Sequence, residues 1–402
     1  MPLNDVDRLL AAFEAGDLLR PTSAVPTLVD LAHALFRACG AEDGEPTAGS
    51  EAIAARIGQP EHLVFLLADG VGIELLRSMR ADAFLPRHLA MELRTSFPST
   101  TAVALTTLAT GEWPARHGIV GWWTYLREID GAATVVKFER RADERPLELL
   151  GVSPDRLLPL PSMLPTMGRD VLSFLPDRIA DTVYSRYTTG GTPRCGYGSL
   201  RQGVDAVIER VKQAQAPTYT YLYYPRVDAA VHDYGTASHH AAAELTLLDL
   251  QIERLAEALA GRARIVLTAD HGHLDVPVTR RHLIGGNEEL SATLRIAPSY
   301  DARVMCFHLR DGAEQDFLRA AGRRLSDAVF LLSVDELAEL ELLGPGELSA
   351  VTRERLGDFV AISRGADAVG YRAATGGAEM LAVASHHSGL TPQEMRIPLV
   401  IA

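Results

Sequence analysis

Three short apolar runs that each close on an acid constrain this chain more than any other feature: "HLVFLLADG" (62–70), "TYTYLYYPRVD" (218–228) and "ARIVLTADHG" (263–272). A continuous apolar run without alternation predicts a strand buried on both faces, as in a parallel sheet covered by helices. Between the second and third runs lies "ASHHAAAELTLLDLQIERLAEALAG", which has the spacing of a long amphipathic helix. The order strand, helix, strand then implies a right-handed parallel crossover. Strands that end in Asp place Asp69, Asp228 and Asp270 at one carboxyl edge, where open α/β folds hold their ligands. The expected fold is α/β, with a predominantly parallel central sheet and helices on both faces.

The flanking segments fill in the rest. Residues 1–60 carry "DVDRLLAAFEAG" and "TLVDLAHALFRACG", each with helical spacing and a Gly stop, and read as an N-terminal helical segment packed on the α/β domain of residues 61–402. Residues 122–217 break the strand and helix rhythm with "YSRYTTGGTPRCGYGSL" and read as a cap inserted over the sheet edge. Arg186, Tyr187, Arg194 and Tyr197 are its candidates for contacting a substrate, against the plainer reading of a Gly-rich connector. After residue 300, "RVMCFHL", "AVFLLSV", "DFVAIS" and "MLAVASHH" read as strands, with an acidic, Gly-containing loop near 340–358. With 402 residues the chain builds a core that needs no staples. Cys39, Cys195 and Cys306, an odd count without CxxC spacing, read as buried thiols. The first residues lack a basic stretch followed by an apolar one, and no apolar run approaches the roughly 20 residues that span a bilayer. The expected location is the cytoplasm.

A formal charge of −13 and a pI near 5.5 argue against a nucleic-acid polymer or an acidic membrane as partner. Anions can still bind where metal ions supply the positive charge. "DAAVH" sets Asp228 and His232 four residues apart, on one face of a helical turn, so that both can grip one cation. "TADHG" adds Asp270 and His271, and "SHHSGL" adds His386 and His387. Each group alone has an ordinary explanation: a surface pair, a cap on the next helix, a solvated histidine. Jointly they supply carboxylate and imidazole wherever one sheet edge would gather them. Such ligands, without cysteine, suit zinc and also manganese or iron. Two such ions about 4 Å apart clamp the attacking and leaving oxygens of a phosphoryl transfer.

The stretch "SFPSTTAVALTTLATG" supplies a hydroxyl. A helix starting near Ala102 has Ser99, Thr100 and Thr101 at its entrance, where free N–H groups and the macrodipole stabilise an anion. One of the three is a candidate nucleophile beside a metal; Ser99 or Thr100 would otherwise simply cap the helix.

At this point "LLADGVG", "FPSTTAVALTTLATGEWPARHGIVG", "YYPRVDAAVHDYG", "LTADHGHLDV" and "HSGLTPQEMRIPLV" can be taken together. In this order the chain resembles the alkaline phosphatase superfamily, and within it the type I phosphodiesterase and nucleotide pyrophosphatase family. The resemblance implies two divalent metal ions, one held by Asp228, His232 and His387, the other by Asp69, Asp270, His271 and the nucleophile. It also places the nucleophile nine residues before the Thr of the "TG" that ends its helix, which from Thr110 selects Thr101. It further implies an Asn twenty-one residues after the nucleophile, holding a nonbridging phosphate oxygen. Here that position is Trp122, so the contact must come from elsewhere, and Trp122 becomes a substrate-binding candidate. Threonine rather than cysteine at the nucleophile position disfavours a sulfatase. The expected activity is hydrolysis of a small phosphodiester or pyrophosphate through a phosphothreonine. The alternatives are a phosphomonoesterase or a catalytically silent binding protein of the same fold.

Overall fold

The computed structural model describes residues 4–22, 25–41, 44–286 and 288–402. Its centre is a seven-stranded sheet of β1 (His62–Ala68), β2 (Leu89–Arg94), β3 (Asp170–Pro176), β4 (Arg194–Tyr197), β5 (Thr218–Tyr224), β6 (Ala263–Thr268) and β7 (Arg396–Ile401), in the order β2-β7-β6-β1-β5-β3-β4. β1 lies in the middle, parallel to both neighbours, with Val64 opposite Ile265 on one side and Thr220 on the other. Only β7 runs against the rest. All seven residues of β1 are buried, which explains the unbroken apolar run: with helices on both faces, neither set of alternate side chains meets water. Each Leu, Val or Phe removed from solvent there contributes roughly 1.5–3 kcal/mol.

The helix over 101–110 and the crossover helix form as the spacing predicts, at Thr101–Thr110 and His239–Ala258, the latter capped by the Ser238 hydroxyl on the Ala241 N–H. The N-terminal helices divide between two cores. Leu28, Leu31 and Leu35 of Leu28–Ala38 pack into the central sheet's core, whereas Leu9 of Asp5–Ala15 packs with Val304, Phe330 and Ile362 of a second sheet. That sheet is wholly antiparallel and takes its strands from Ser299–Asp301, Val304–Phe307, Phe359–Ser363 and Val329–Ser333, in that spatial order.

Residues 122–217 are not one insertion. Residues 123–146 form a small antiparallel sheet, but β3 and β4 lie within the range and belong to the central sheet. The polar, Gly-rich sequence around β4 masks it because this is an edge strand with one neighbour and partly exposed residues. Cys195 is exposed there, contrary to the reading of three buried thiols. The expected strand "MLAVASHH" is also corrected. Its first three residues lie in the helix Gly377–Ala382, and of the rest Ser385 and His386 pair as strand. Within the presumed loop at 340–358, Ala350–Leu356 is helical, capped by the Ser349 hydroxyl on the Thr352 N–H.

Arg141 fastens the small sheet to the second one. Its guanidinium lies 3.5 Å from the Trp123 ring centroid and 4.3 Å from that of Tyr300, and donates to the Tyr300 hydroxyl at 2.7 Å. Buried cation–π contacts of this kind are worth about 2 kcal/mol. Among the described residues no helix is long and apolar enough to cross a membrane.

Candidate active site

The carboxyl ends of β1 and β6 deliver the acids directly. Asp69 follows the last residue of β1, and Asp270 and His271 follow β6 by two and three residues. Asp228 arrives differently. β5 ends at Tyr224, Pro225 starts the helix Arg226–Tyr234, and Asp228 and His232 face the site from successive turns. Gly70 allows this convergence: with φ of +72°, any Cβ there would lie 2.6 Å from His273 Nε2 and 3.0 Å from the Asp228 backbone.

Two groups of ligand atoms result. Asp69, Asp270 and His271 form one, wholly buried, with His271 Nε2 3.6 Å from Asp69 Oδ1 and 3.4 Å from Asp270 Oδ2. Asp228 is the centre of the other, grouped with His232 and His273 and with His271 and His387: Asp228 Oδ1 lies 3.3 Å from His232 Nε2, 3.0 Å from His273 Nε2 and 4.0 Å from His387 Nε2, and the His232 and His387 Nε2 atoms are 3.1 Å apart. The groups adjoin, since the His271 and His387 rings stack at 3.7 Å.

Backbone carbonyls aim the imidazoles. His232 Nδ1 meets Ser385 O at 2.8 Å, His387 Nδ1 meets Ser99 O at 3.1 Å and His271 Nδ1 meets Gly272 O at 3.1 Å. A carbonyl only accepts, so each Nδ1 carries a hydrogen and each Nε2 points inward to bind a metal or a proton. Burial, helped by His271 and His232, keeps His387 neutral by pushing its pKa well below the ordinary value. Burial also opposes charge on His232, but Asp228 more than reverses this and lifts it to about 9.

Asp69 Oδ1 and Asp270 Oδ2 have no hydrogen-bond partner among the described residues. Burial, with the charges of Asp270 and Asp228, pushes the Asp69 carboxyl well above the usual carboxylate range, although the Tyr223 hydroxyl donates to its other oxygen. An unpartnered buried carboxylate oxygen costs several kcal/mol. Two of them facing one imidazole nitrogen fit a cation.

The three hydroxyls separate clearly. Ser99 Oγ donates to Gly389 O at 2.8 Å. Thr100 takes the N-cap position without a side-chain cap bond and is fully buried. Thr101 Oγ1 lies 3.2 Å from His271 Nε2 and faces two cavities, of about 480 Å³ and 580 Å³. The first intrahelical bonds run from Val103 and Ala104 to Thr100 O, so the Thr101 and Ala102 amides precede them.

Trp122 lines both cavities, and its N–H donates to Asp301 Oδ2 at 2.7 Å. Arg186, Tyr187 and Arg194 line neither. Arg186 is turned to Asp181, Tyr187 donates to Leu160 O, and Arg194 binds Ala180 O, Thr192 O and Thr189. Tyr197 donates to Tyr223 O. These side chains tie down the segments around β3 and β4 and line neither cavity. The sequence reading missed His273, whose Nε2 lies 3.0 Å from Asp228 Oδ1 and steadies that carboxylate. Its signal was visible in "DHGH", two residues after a candidate ligand. It also missed Tyr223 and Asp301, which no local pattern marks.

Comparison with known proteins identifies the family and the fold. The family model described as type I phosphodiesterase / nucleotide pyrophosphatase matches residues 63–373. No curated protein sequence matches the chain. Among solved structures, murine ectonucleotide pyrophosphatase/phosphodiesterase 5, as an inactive variant in complex with AMP, superposes with a TM-score of 0.62 at 16% identity, over 84% of this chain and 87% of that one. Phosphonoacetate hydrolase from Sinorhizobium meliloti 1021, in complex with phosphonoformate, gives 0.57 at 17% identity, over 85% and 90%. The fold is thus that of the alkaline phosphatase superfamily, and the chain belongs to the type I phosphodiesterase/nucleotide pyrophosphatase family, whose chemistry is phosphoester hydrolysis.

Proposed function

We propose that the protein is a two-metal hydrolase of a small phosphodiester or pyrophosphate, acting through a phosphothreonine at Thr101. The observation that carries the metal requirement is the pair of unpartnered buried oxygens, Asp69 Oδ1 and Asp270 Oδ2, facing His271 Nε2. Asp69, Asp270, His271 and Thr101 would hold one ion, and Asp228, His232 and His387 the other. Zinc fits the mixed oxygen and nitrogen donors best, with manganese or iron as alternatives. When bound, the ions supply the positive charge that an acidic chain lacks and lower the pKa of a coordinated hydroxyl.

The chain's own groups do the rest. Thr101 Oγ1 gives its proton to solvent and attacks phosphorus from the start of its helix; the new P–O bond forms as the bond to the leaving oxygen breaks, and that oxygen departs with the electron pair and takes up a proton from solvent. The Thr101 and Ala102 amides face the charge that develops on the phosphoryl oxygens. Water then cleaves the bond to Thr101 Oγ1, which regains its proton, and phosphate or a phosphomonoester departs. Two cavities meeting at Thr101 favour a substrate with a substituent on each side of phosphorus over a simple monoester. The test is a panel of mono-, di- and pyrophosphate esters with zinc or manganese present. Diester or pyrophosphate cleavage is expected; no turnover of any class by protein holding two ions would leave the silent binding protein standing.

A further inference from the structure

The two cavities share four lining residues: Thr101, Asp228, Trp122 and Lys137. The first is the nucleophile and the second a metal ligand, so the reacting phosphorus belongs at this junction. Lys137 is the one cation of the four. Resting on the phosphoester-hydrolase reading above, we infer that the Lys137 ammonium binds the anionic phosphoryl end of the substrate, while the Trp122 indole walls the junction beside it.

Three observations carry this. First, the backbone is built to present Lys137. The next residue, Phe138, has φ of +56°, a conformation rare for a bulky side chain. Its ring is 1% exposed in a cluster with Leu126, Ala133 and Val135, and its N–H bonds back to Val135 O at 3.2 Å. Val135 N–H in turn donates to Trp122 O at 3.1 Å, tying the turn to the cavity wall. A buried aromatic ring thus holds a tight turn whose preceding residue faces the site.

Second, the ammonium is available. Its ion-pair partner is Glu139 at 3.9 Å, and the Lys137 side chain is 54% exposed, so little is lost when it turns to a better anion. By contrast, Arg178, the cation confined to the larger cavity, does not reach the junction set.

Third, the chain has only two lysines, Lys137 and Lys212, among 39 basic residues. The remainder are arginines, many committed to carboxylates or carbonyls in fixed forks. A lysine offers a compact charge on a flexible stem, suited to following phosphoryl oxygens as they move during displacement.

The lysine count also provides the test. Trace acetylation of the metal-loaded protein, with and without inorganic phosphate, is mapped by mass spectrometry; Lys212, exposed on the helix Leu200–Gln213, is the internal control. Phosphate should protect Lys137 about tenfold or more and leave Lys212 unchanged. Equal labelling of Lys137 with and without phosphate would overturn the inference. Independently, Lys137→Met should lower kcat/KM for bis(p-nitrophenyl) phosphate by about 10- to 100-fold with metal content intact, as for loss of a charge-assisted contact. Lys137→Arg should recover part of it, and Lys212→Met should match wild type. A Lys137→Met variant within twofold of wild type would remove Lys137 from the site while leaving the hydrolase reading intact. Wild-type protein inert towards every ester class would instead defeat that reading, and phosphate protection at Lys137 would still be read separately.

Discussion

The protein buries acidic groups in two places and neutralises them in opposite ways. Glu394, fully buried, is enclosed by the chain's own donors: Arg303 Nε at 2.5 Å and Nη2 at 3.0 Å, the Gly389 N–H at 2.7 Å, and the Thr391 N–H and hydroxyl at 3.1 and 2.6 Å. Arg303 spends its remaining arm on Asp367 O at 2.6 Å. At the sheet edge, Asp69, Asp228 and Asp270 face imidazoles, a tyrosine hydroxyl, backbone amides and one another, and among the described residues Asp69 Oδ1 and Asp270 Oδ2 have no hydrogen-bond partner. A closed ion pair contributes to one fixed structure. An open carboxylate cluster stores a demand for cations, which is what a metal-dependent site requires.

The largest effect separates chemistry from charge closure. Thr101→Ala should lower turnover by several orders of magnitude while melting temperature stays near wild type and the carboxylate and imidazole ligands still retain the ions, since it removes a nucleophile and no buried charge. Acid quench during turnover should trap phosphate on Thr101. Phosphate found on Ser99 or Thr100 would move the nucleophile.

Next comes the contrast itself. Asp270→Ala or His232→Ala should lose metal and nearly all turnover without unfolding the sheet, and metal analysis beside circular dichroism would show it. Arg303→Met should do the reverse, keeping both ions but losing about 3–5 kcal/mol of stability in urea, because Glu394 is left buried and unpaired. If Asp270→Ala kept full activity, the open site would not be a metal site.

A smaller difference lies between two adjacent histidines. His387 Nε2 faces Asp228 and His232, whereas His386 pairs across a short ladder with Leu274 and is buried with its Nε2 unpartnered. His387→Ala should weaken metal binding severely and His386→Ala mildly, by titration calorimetry. The reverse ranking would place the second ion's ligand at His386.

The smallest effect concerns Asp301, a buried acid of neither class. Burial lifts it to about 7 from an ordinary 3.8, against the pull of the Trp122 N–H. A folded-state value above the unfolded one means stability present at low pH and lost as pH rises between these two values. Metal-free protein should therefore denature more easily in urea at pH 8 than at pH 5 through this group, and Asp301→Asn, which still accepts from Trp122, should narrow that difference. An unchanged pH dependence in the variant would assign it elsewhere.

Much of this was legible in the sequence because it is written locally. A strand buried on both faces needs an unbroken apolar run, and that run stops at the acid where the sheet meets solvent or ligand, which marks Asp69 and Asp270. Asp228 and His232 lie one helical turn apart, a spacing that needs no tertiary information. The resemblance to a known family, carried by ordered motifs, singled out Thr101 and His387 among their neighbours. What remained hidden depends on contacts between distant residues. Ser385 aims His232 across 153 positions, and Asp301 reaches the Trp122 amide across 179. Arg186 and Arg194 look like substrate contacts by composition, yet they are spent on nearby carbonyls and Asp181 once β3 and β4 join the sheet. Lys137 carries no motif at all; only a turn held by a buried ring sets it at the junction. Periodicity and spacing thus determined the main elements and the acids and imidazoles they bring to one sheet edge, whereas three-dimensional packing alone decided which polar groups are satisfied and which stay open for chemistry.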